Sequence, residues 1–222
     1  NNWVEQAKFV VDQQEIKYLD INGSLKLNLL KNLNTILTVG QVTSSFRNKD
    51  FTPSSMSYVQ PINGGTGRNS GAQSLDENDQ KSFEWLGNYS PNIANQNIKL
   101  LAGYSFQQFT CSGFNASNSQ LPSDALTYNN LGTGLYNRLE GQDGVGSYKN
   151  SSRLVAFFGR LNYDLDEKYY LSASIRREGS SKFGLNNKWG NFPAVSVAWR
   201  LDREPFMRNI SCLYQLKLRA DY

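Results

Sequence analysis

The sequence predicts an all-β chain, an antiparallel up-and-down meander that forms part of a transmembrane β-barrel. Three observations carry that expectation. Apolar and polar residues alternate with a period of two through most segments, as in a sheet with one oily and one wet face. The connections alternate short and long, the asymmetry of outer-membrane barrels with tight periplasmic turns and extended extracellular loops. A mean hydropathy of -0.55, with abundant Asn, Ser and Gly in 222 residues, argues against a thick dry core. Each strand should run about ten residues, the length a tilted strand needs to cross a bilayer.

The first predicted hairpin sets Leu19, Ile21, Gly23, Leu25, Leu27 and Leu29 against Asp20, Asn22, Ser24, Lys26 and Asn28, then turns at Lys31 and Asn32 into a strand over 33–43. Residues 44–80, which include "NGGTGRNSG", have turn chemistry without helical periodicity and read as a long loop. Next come a strand with Phe83, Trp85 and Gly87 on one face and another with Ile98, Leu100, Ala102, Tyr104 and Phe106 on one face, joined by the short "SPNIANQ". A second long loop is expected over 109–151.

The clearest hairpin follows. Val155, Phe157, Gly159, Leu161 and Tyr163 face one way, with Phe158, Arg160, Asn162 and Asp164 the other. After Leu165 to Glu167 the alternation resumes, with Tyr169, Leu171, Ala173 and Ile175 opposite Tyr170, Ser172, Ser174, Arg176 and Glu178. "GSSKFGLNNK" then leads to a strand in which Val195, Val197, Trp199 and Leu201 oppose Ala194, Ser196, Ala198 and Arg200. "DREPFMRNISC" places Pro205 at the first turn of a small helix, and "LYQLKLRADY" is a last strand. The apolar face would meet lipid, with Tyr163, Tyr169 and Trp199 in an interfacial girdle. A soluble β-sandwich also alternates, so the pattern alone leaves open a small ligand-binding barrel or sandwich without transport activity.

Composition narrows the chemistry. The chain has no histidine, which removes a Ser-His-Asp triad, a Cys-His pair and most zinc sites. Cys111 and Cys212 stand without CxxC partners, near opposite ends of the expected strands and too far apart for a disulfide. No enzyme, metal or cofactor is expected. The +4 charge comes from scattered Lys and Arg, so nucleic acid is not an expected partner. No apolar run is long enough for a membrane helix, and "NNWVEQAKFV" lacks the features of a signal peptide.

"FFGRLNYDLDEKYYLSASIRREGSSKFGLNNKWGNFPAVSVAWRLDREPFM" and "LYQLKLRADY" closely resemble the late-barrel region of SusC/RagA-type TonB-dependent outer-membrane transporters of Bacteroidetes. "GYSFQQ", "LPSDALTYNNLG" and "SYKNSSRLVAFFGRLNY" resemble the same family in the same order. The resemblance implies that 1–222 is part of a TonB-dependent receptor barrel domain, about eight strands of 22, with the plug domain and remaining strands absent. It further implies import of glycans or oligopeptides across the outer membrane with a SusD-like surface lipoprotein, and coupling to the TonB complex through N-terminal regions missing here.

Candidate contacts follow from parity and position. Arg160, Arg176, Glu178 and Arg200 share the predicted lumen-facing side and are candidates for touching the plug or a passing ligand. Tyr128, Tyr136, Tyr148 and Trp189 fall on predicted extracellular loops, where flat rings could stack on ligand or meet the lipoprotein. Asp164, Asp166 and Glu167 are expected to form a periplasmic turn. "GGTGRNSG" lacks the Lys-Ser/Thr of a phosphate loop and reads as a loop tip.

Overall fold

A computed structural model describes residues 3–56, 68–135, 144–207 and 214–222. A short helix, α1 (Trp3–Phe9), precedes nine strands: β1 (Val11–Leu30), β2 (Leu33–Thr52), β3 (Ser70–Tyr89), β4 (Asn92–Ile93), β5 (Gln96–Ser119), β6 (Val145–Leu165), β7 (Tyr169–Ser180), β8 (Trp189–Arg200) and β9 (Lys217–Asp221). They form one sheet in the order β1-β2-β3-β5-β6-β7-β8-β9, with the two-residue β4 paired to β5. The predicted antiparallel meander of eight main strands is therefore present as an open sheet.

Strand length departs from expectation. β1, β2 and β3 have 20 residues each, β5 has 24 and β6 has 21, while β7 and β8 keep 12 each. The loops expected over 44–80 and 109–151 are thus much shorter, because β2 runs to Thr52, β3 starts at Ser70, β5 runs to Ser119 and β6 starts at Val145. Polar strand continuations such as "GAQSLDENDQ" look like loop by composition. They hold as strands because their backbones find ladder partners on either side.

The register fixes the faces. Across β6 and β7, Phe157 pairs with Arg177, Leu161 with Ala173 and Tyr163 with Leu171, while Phe158 pairs with Arg176 and Arg160 with Ser174. Across β7 and β8, Leu171 pairs with Val197 and Tyr169 with Trp199. Directly opposed residues share a face, so Val155, Phe157, Leu161, Leu171, Ile175, Val197 and Trp199 lie together on the apolar face, and Phe157 and Arg160 lie on opposite faces. Pro193 opposes Ile175. Because the Val195 N–H donates to Tyr222 O, the ring nitrogen of Pro193, two residues earlier, faces away from β7 and removes nothing from that ladder.

The hairpin turn is built as its sequence suggests. Asp166 and Glu167 take φ of 54° and 55°, the left-handed pair of a two-residue turn that matches strand twist, and Lys168 N donates to Leu165 O at 2.9 Å. "DREPFM" forms two 3-10 turns, Leu201–Arg203 and Pro205–Met207, so Pro205 does open a helical turn.

The chain divides into two compact units. The first comprises Asn1–Asp20, Val42–Gln80 and Phe109–Ser151, the second Ile21–Gln41, Lys81–Gln108 and Ser152–Tyr222. Among the described residues the buried apolar side chains are Phe51, Pro53, Met56, Leu121 and Ala156, and all but Ala156 belong to the first unit. No dry core runs through the sheet.

Candidate functional site

In the second unit the apolar face carries a band bounded by aromatic rows. Phe83, Tyr104, Phe157 and Trp189 follow one another across the strands with ring centroids 6.1, 5.1 and 6.4 Å apart. At the other rim Tyr169 stacks on Trp199 at 6.2 Å and 19°. Trp189 opposes Gly179, where a Cβ would come within 2.9 Å of the indole; the glycine leaves the ring room to lie flat on the sheet. From Tyr169 to Gly179 β7 advances ten positions, about 33 Å of strand and about 25 Å along the normal at a tilt of ~40°. That height matches the apolar band of an outer-membrane barrel.

The band ends in the same way strand by strand. Along this face the first charged or amide side chain met toward the Trp189 rim is Gln41 in β2, Lys81 in β3, Gln108 in β5, Arg153 in β6, Arg177 in β7 and Asn191 in β8, the last two directly opposed near the Trp189 level. Contacts agree with the assignment: Trp85 Nε1 donates to Thr35 Oγ1 at 2.7 Å and Arg153 Nε to Gln108 Oε1 at 3.2 Å.

The polar face of the same unit holds the predicted lumen-side residues. Arg176 binds Glu178 at 2.6 Å and lies 5.5 Å over the Phe158 ring. Arg200 pairs with Asp202 at the rim, and that bond, with a hydrogen bond from Leu216 N, holds the Asp202 carboxyl below the usual range against the opposing effect of burial. Arg160 shares this face by register. A groove of about 310 Å³ brings Arg160 and Arg176 together with Phe158 and Phe192. A second, of about 420 Å³, is lined by Lys99, Asn162, Asp164, Tyr170, Lys217 and Arg219 among others. Within it Lys217 sits 4.5 Å over the Tyr170 ring, and Asp164 Oδ1 is buried without a hydrogen-bond partner among the described residues. This wall offers guanidinium, ammonium, amide and hydroxyl groups to a polar solute. No group of three or more His, Cys, Asp or Glu that could hold a metal occurs among the described residues.

The aromatic residues expected on loops are distributed differently. Tyr128 does lie in a loop; its carbonyl accepts from Gln73 Nε2 at 2.7 Å, and Lys49 stands 5.7 Å from its ring. Tyr136 and Cys212 lie outside the described residues. Tyr148 belongs to β6, because that strand starts three residues earlier, and its hydroxyl donates to Asp76 Oδ1 at 2.9 Å. The ring passes over Gly113, where any Cβ would collide with Tyr148 and Asp76. The bond to Asp76 raises the Tyr148 hydroxyl above its ordinary range, with burial adding to it. Trp189 opens β8 on the apolar face rather than sitting in a loop. Cys111 is an exposed free thiol within β5, away from the strand end where it was expected.

Two clusters escaped sequence reasoning. In the first unit Asp124 accepts from Ser54 N at 3.1 Å, Ser54 Oγ at 2.9 Å and Asn69 Nδ2 at 2.8 Å. Asn69, 5 % exposed, also accepts from Leu121 N at 2.7 Å through Oδ1 and donates to Leu121 O at 3.1 Å. Around them Phe51, Met56 and Leu121 form a small core, so "LPSDALTYNNLG" is a built loop with a 3-10 turn at Asp124–Leu126 capped by Ser123. The Ser-Asp pair beginning that turn was the one available sequence signal. In the second unit Glu204, 7 % exposed, accepts from Tyr169 Oη at 2.7 Å and Trp199 Nε1 at 3.0 Å and faces Lys168 Nζ at 3.6 Å. Those two hydrogen bonds, Tyr169 first, hold its carboxyl below the usual range despite burial.

No protein-family model matches the chain. TonB-dependent receptor P3 of Formosa agariphila is 34% identical over 134 residues, 60% of this chain and 13% of that protein. TonB-dependent receptor SusC of Bacteroides thetaiotaomicron is 38% identical over 76 residues, 34% of this chain and 8% of that one. In fold, the RagAB peptide importer in its closed-closed state superposes with a TM-score of 0.80 over 96% of this chain and 23% of its own, at 21% identity. The chain thus spans only a small part of the proteins it resembles. In strand order, face pattern and sequence it is similar to a β-barrel segment of TonB-dependent receptors of the SusC/RagA type.

Proposed function

We propose that the chain forms part of the wall of a TonB-dependent, SusC-like importer in the bacterial outer membrane, with glycans or oligopeptides as substrate and a SusD-like surface lipoprotein as partner. The observation that carries this reading is the apolar band of about 25 Å between two aromatic rows, backed by a face of Arg, Lys, Asn and Ser. Lipid would cover the first face and a hydrated lumen the second. A ligand-binding sandwich would need a second sheet over the apolar face, and the described strands form a single sheet. The role is passage and not covalent chemistry. TonB coupling would reside in parts of the whole protein other than this segment.

The partner reading draws on the Asp124 cluster, which presents 121–135 as a shaped surface instead of a loose tether. In cells that make the whole protein, deleting Pro122 to Gly132 should reduce lipoprotein co-purification and substrate uptake while the barrel still assembles. Unchanged capture and uptake would remove this loop from the mechanism. Supplying the cells with oligopeptide or glycan as the limiting nutrient separates the two substrate classes.

A further inference from the structure

From Ser152 onward the apolar face of β6, β7 and β8 carries two cations, Arg153 and Arg177, and no carboxylate. Both stand at the rim marked by Trp189. Arg177 opposes Phe157, and its guanidinium carbon lies 5.2 Å from the centre of the Trp189 ring. Arg153 lies beyond Val155 on the same face, opposite Ser181; its main chain exchanges hydrogen bonds with Ser181, and its Nε donates to Gln108 Oε1. Both arginines are exposed, and neither has an ion-pair partner among the described residues. At the opposite rim Lys168 faces Glu204 and Arg203 pairs with Glu167.

We infer that Arg153, Arg177 and Trp189 form a binding site for the phosphate headgroup of an anionic membrane lipid. The placement and the charge argue for it together. An aromatic row marks the depth where lipid chains give way to headgroups, and two uncompensated guanidinium groups at that depth attract an anion in a partly desolvated setting. Guanidinium donors match the oxygens of a phosphate in geometry, and the indole supplies a flat wall for the glycerol or sugar beside it. Arg177, held over the indole, is already oriented, so less side-chain freedom is lost on binding. Because both arginines stand at the Trp189 rim, the site acts in the leaflet on that side.

This inference rests on the membrane-wall reading, and its test keeps the two apart. The whole protein is purified in detergent, titrated with phosphatidylglycerol or zwitterionic phosphatidylcholine, and its lipid-bound fraction read by native mass spectrometry. Phosphatidylglycerol should bind preferentially. The double substitution Arg153→Gln and Arg177→Gln should lower that affinity about twenty- to thirtyfold, since each cation near anionic lipid contributes on the order of fivefold. Arg153→Lys with Arg177→Lys should retain most of it. Equal binding of the two lipids by the unaltered protein, or unchanged phosphatidylglycerol affinity in the glutamine variant, overturns the site. A protein that stays monodisperse without detergent overturns the membrane-wall reading itself.

Discussion

Placing an arginine on each face of the sheet at nearly the same depth separates a membrane wall from a water-exposed sheet. Ala173 opposes Leu161 and Val195 on the apolar face, midway between the Tyr169 and Gly179 levels. Ala194 opposes Ser174 on the polar face one level away. In Ala173→Arg the guanidinium must enter lipid or distort the band around it. For lipid-facing positions of barrels near the midplane the cost is about 2–4 kcal/mol, a factor of about thirty to nearly a thousand in the folded population. Ala194→Arg puts the same side chain among serines and water and should cost about 0.5 kcal/mol or less. The assay is reversible urea unfolding of the whole protein in lipid vesicles, followed by tryptophan fluorescence. Equal costs for the two variants would refute the assignment of faces, and so would a larger cost at Ala194.

Three further outcomes test local structure. Asp124→Ala leaves the Ser54 and Asn69 donors without their shared acceptor, at a cost of about 1–3 kcal/mol, and should speed proteolysis within 121–135 while leaving the strand spectrum unchanged. Because the Glu204 carboxyl is held low in the folded state, its stabilisation is complete above the ordinary Glu range and is lost as pH falls through the folded value. Acid should therefore loosen the turn from Leu201 to Met207, seen as faster amide exchange there, and Glu204→Gln should flatten that pH dependence. Gly113→Val should push the Tyr148 ring off Asp76, so that Tyr148 ionises at lower pH, toward its ordinary range; ultraviolet difference titration with Tyr148→Phe as the blank reads this.

Period-two alternation made the faces of β6, β7 and β8 legible in the sequence, because a sheet with one apolar and one polar face places apolar residues at most alternate positions from Val155 to Trp199. The tight turn was legible for a local reason, since Asp166 and Glu167 sit between two alternating runs. Strand ends were not, because beyond Lys81 and Gln108 both faces of the sheet are polar and alternation carries no signal; "GAQSLDENDQ" is indistinguishable from loop by composition while its backbone pairs as strand. Tyr148 and Trp189 were misplaced by that error of boundaries. The Asn69 and Asp124 cluster joins residues 55 positions apart, a contact made by topology. Likewise Glu204 looked like an ordinary charge in a connection until the turn folded it onto Tyr169 and Trp199.

If one face of this sheet meets lipid and the other water, accessibility along β7 will show it residue by residue. Single cysteines at each position from Tyr169 to Glu178, in the whole protein with Cys111→Ser and Cys212→Ser, carry a nitroxide label in reconstituted vesicles. Collisions with oxygen, which concentrates in lipid, are compared with collisions with a water-soluble nickel complex. Oxygen access should peak at Leu171, Ala173 and Ile175, and nickel access at Tyr170, Ser172, Ser174 and Arg176, in strict alternation. A profile without the two-residue period, or one with nickel reaching Ala173 as readily as Ser174, would contradict the account.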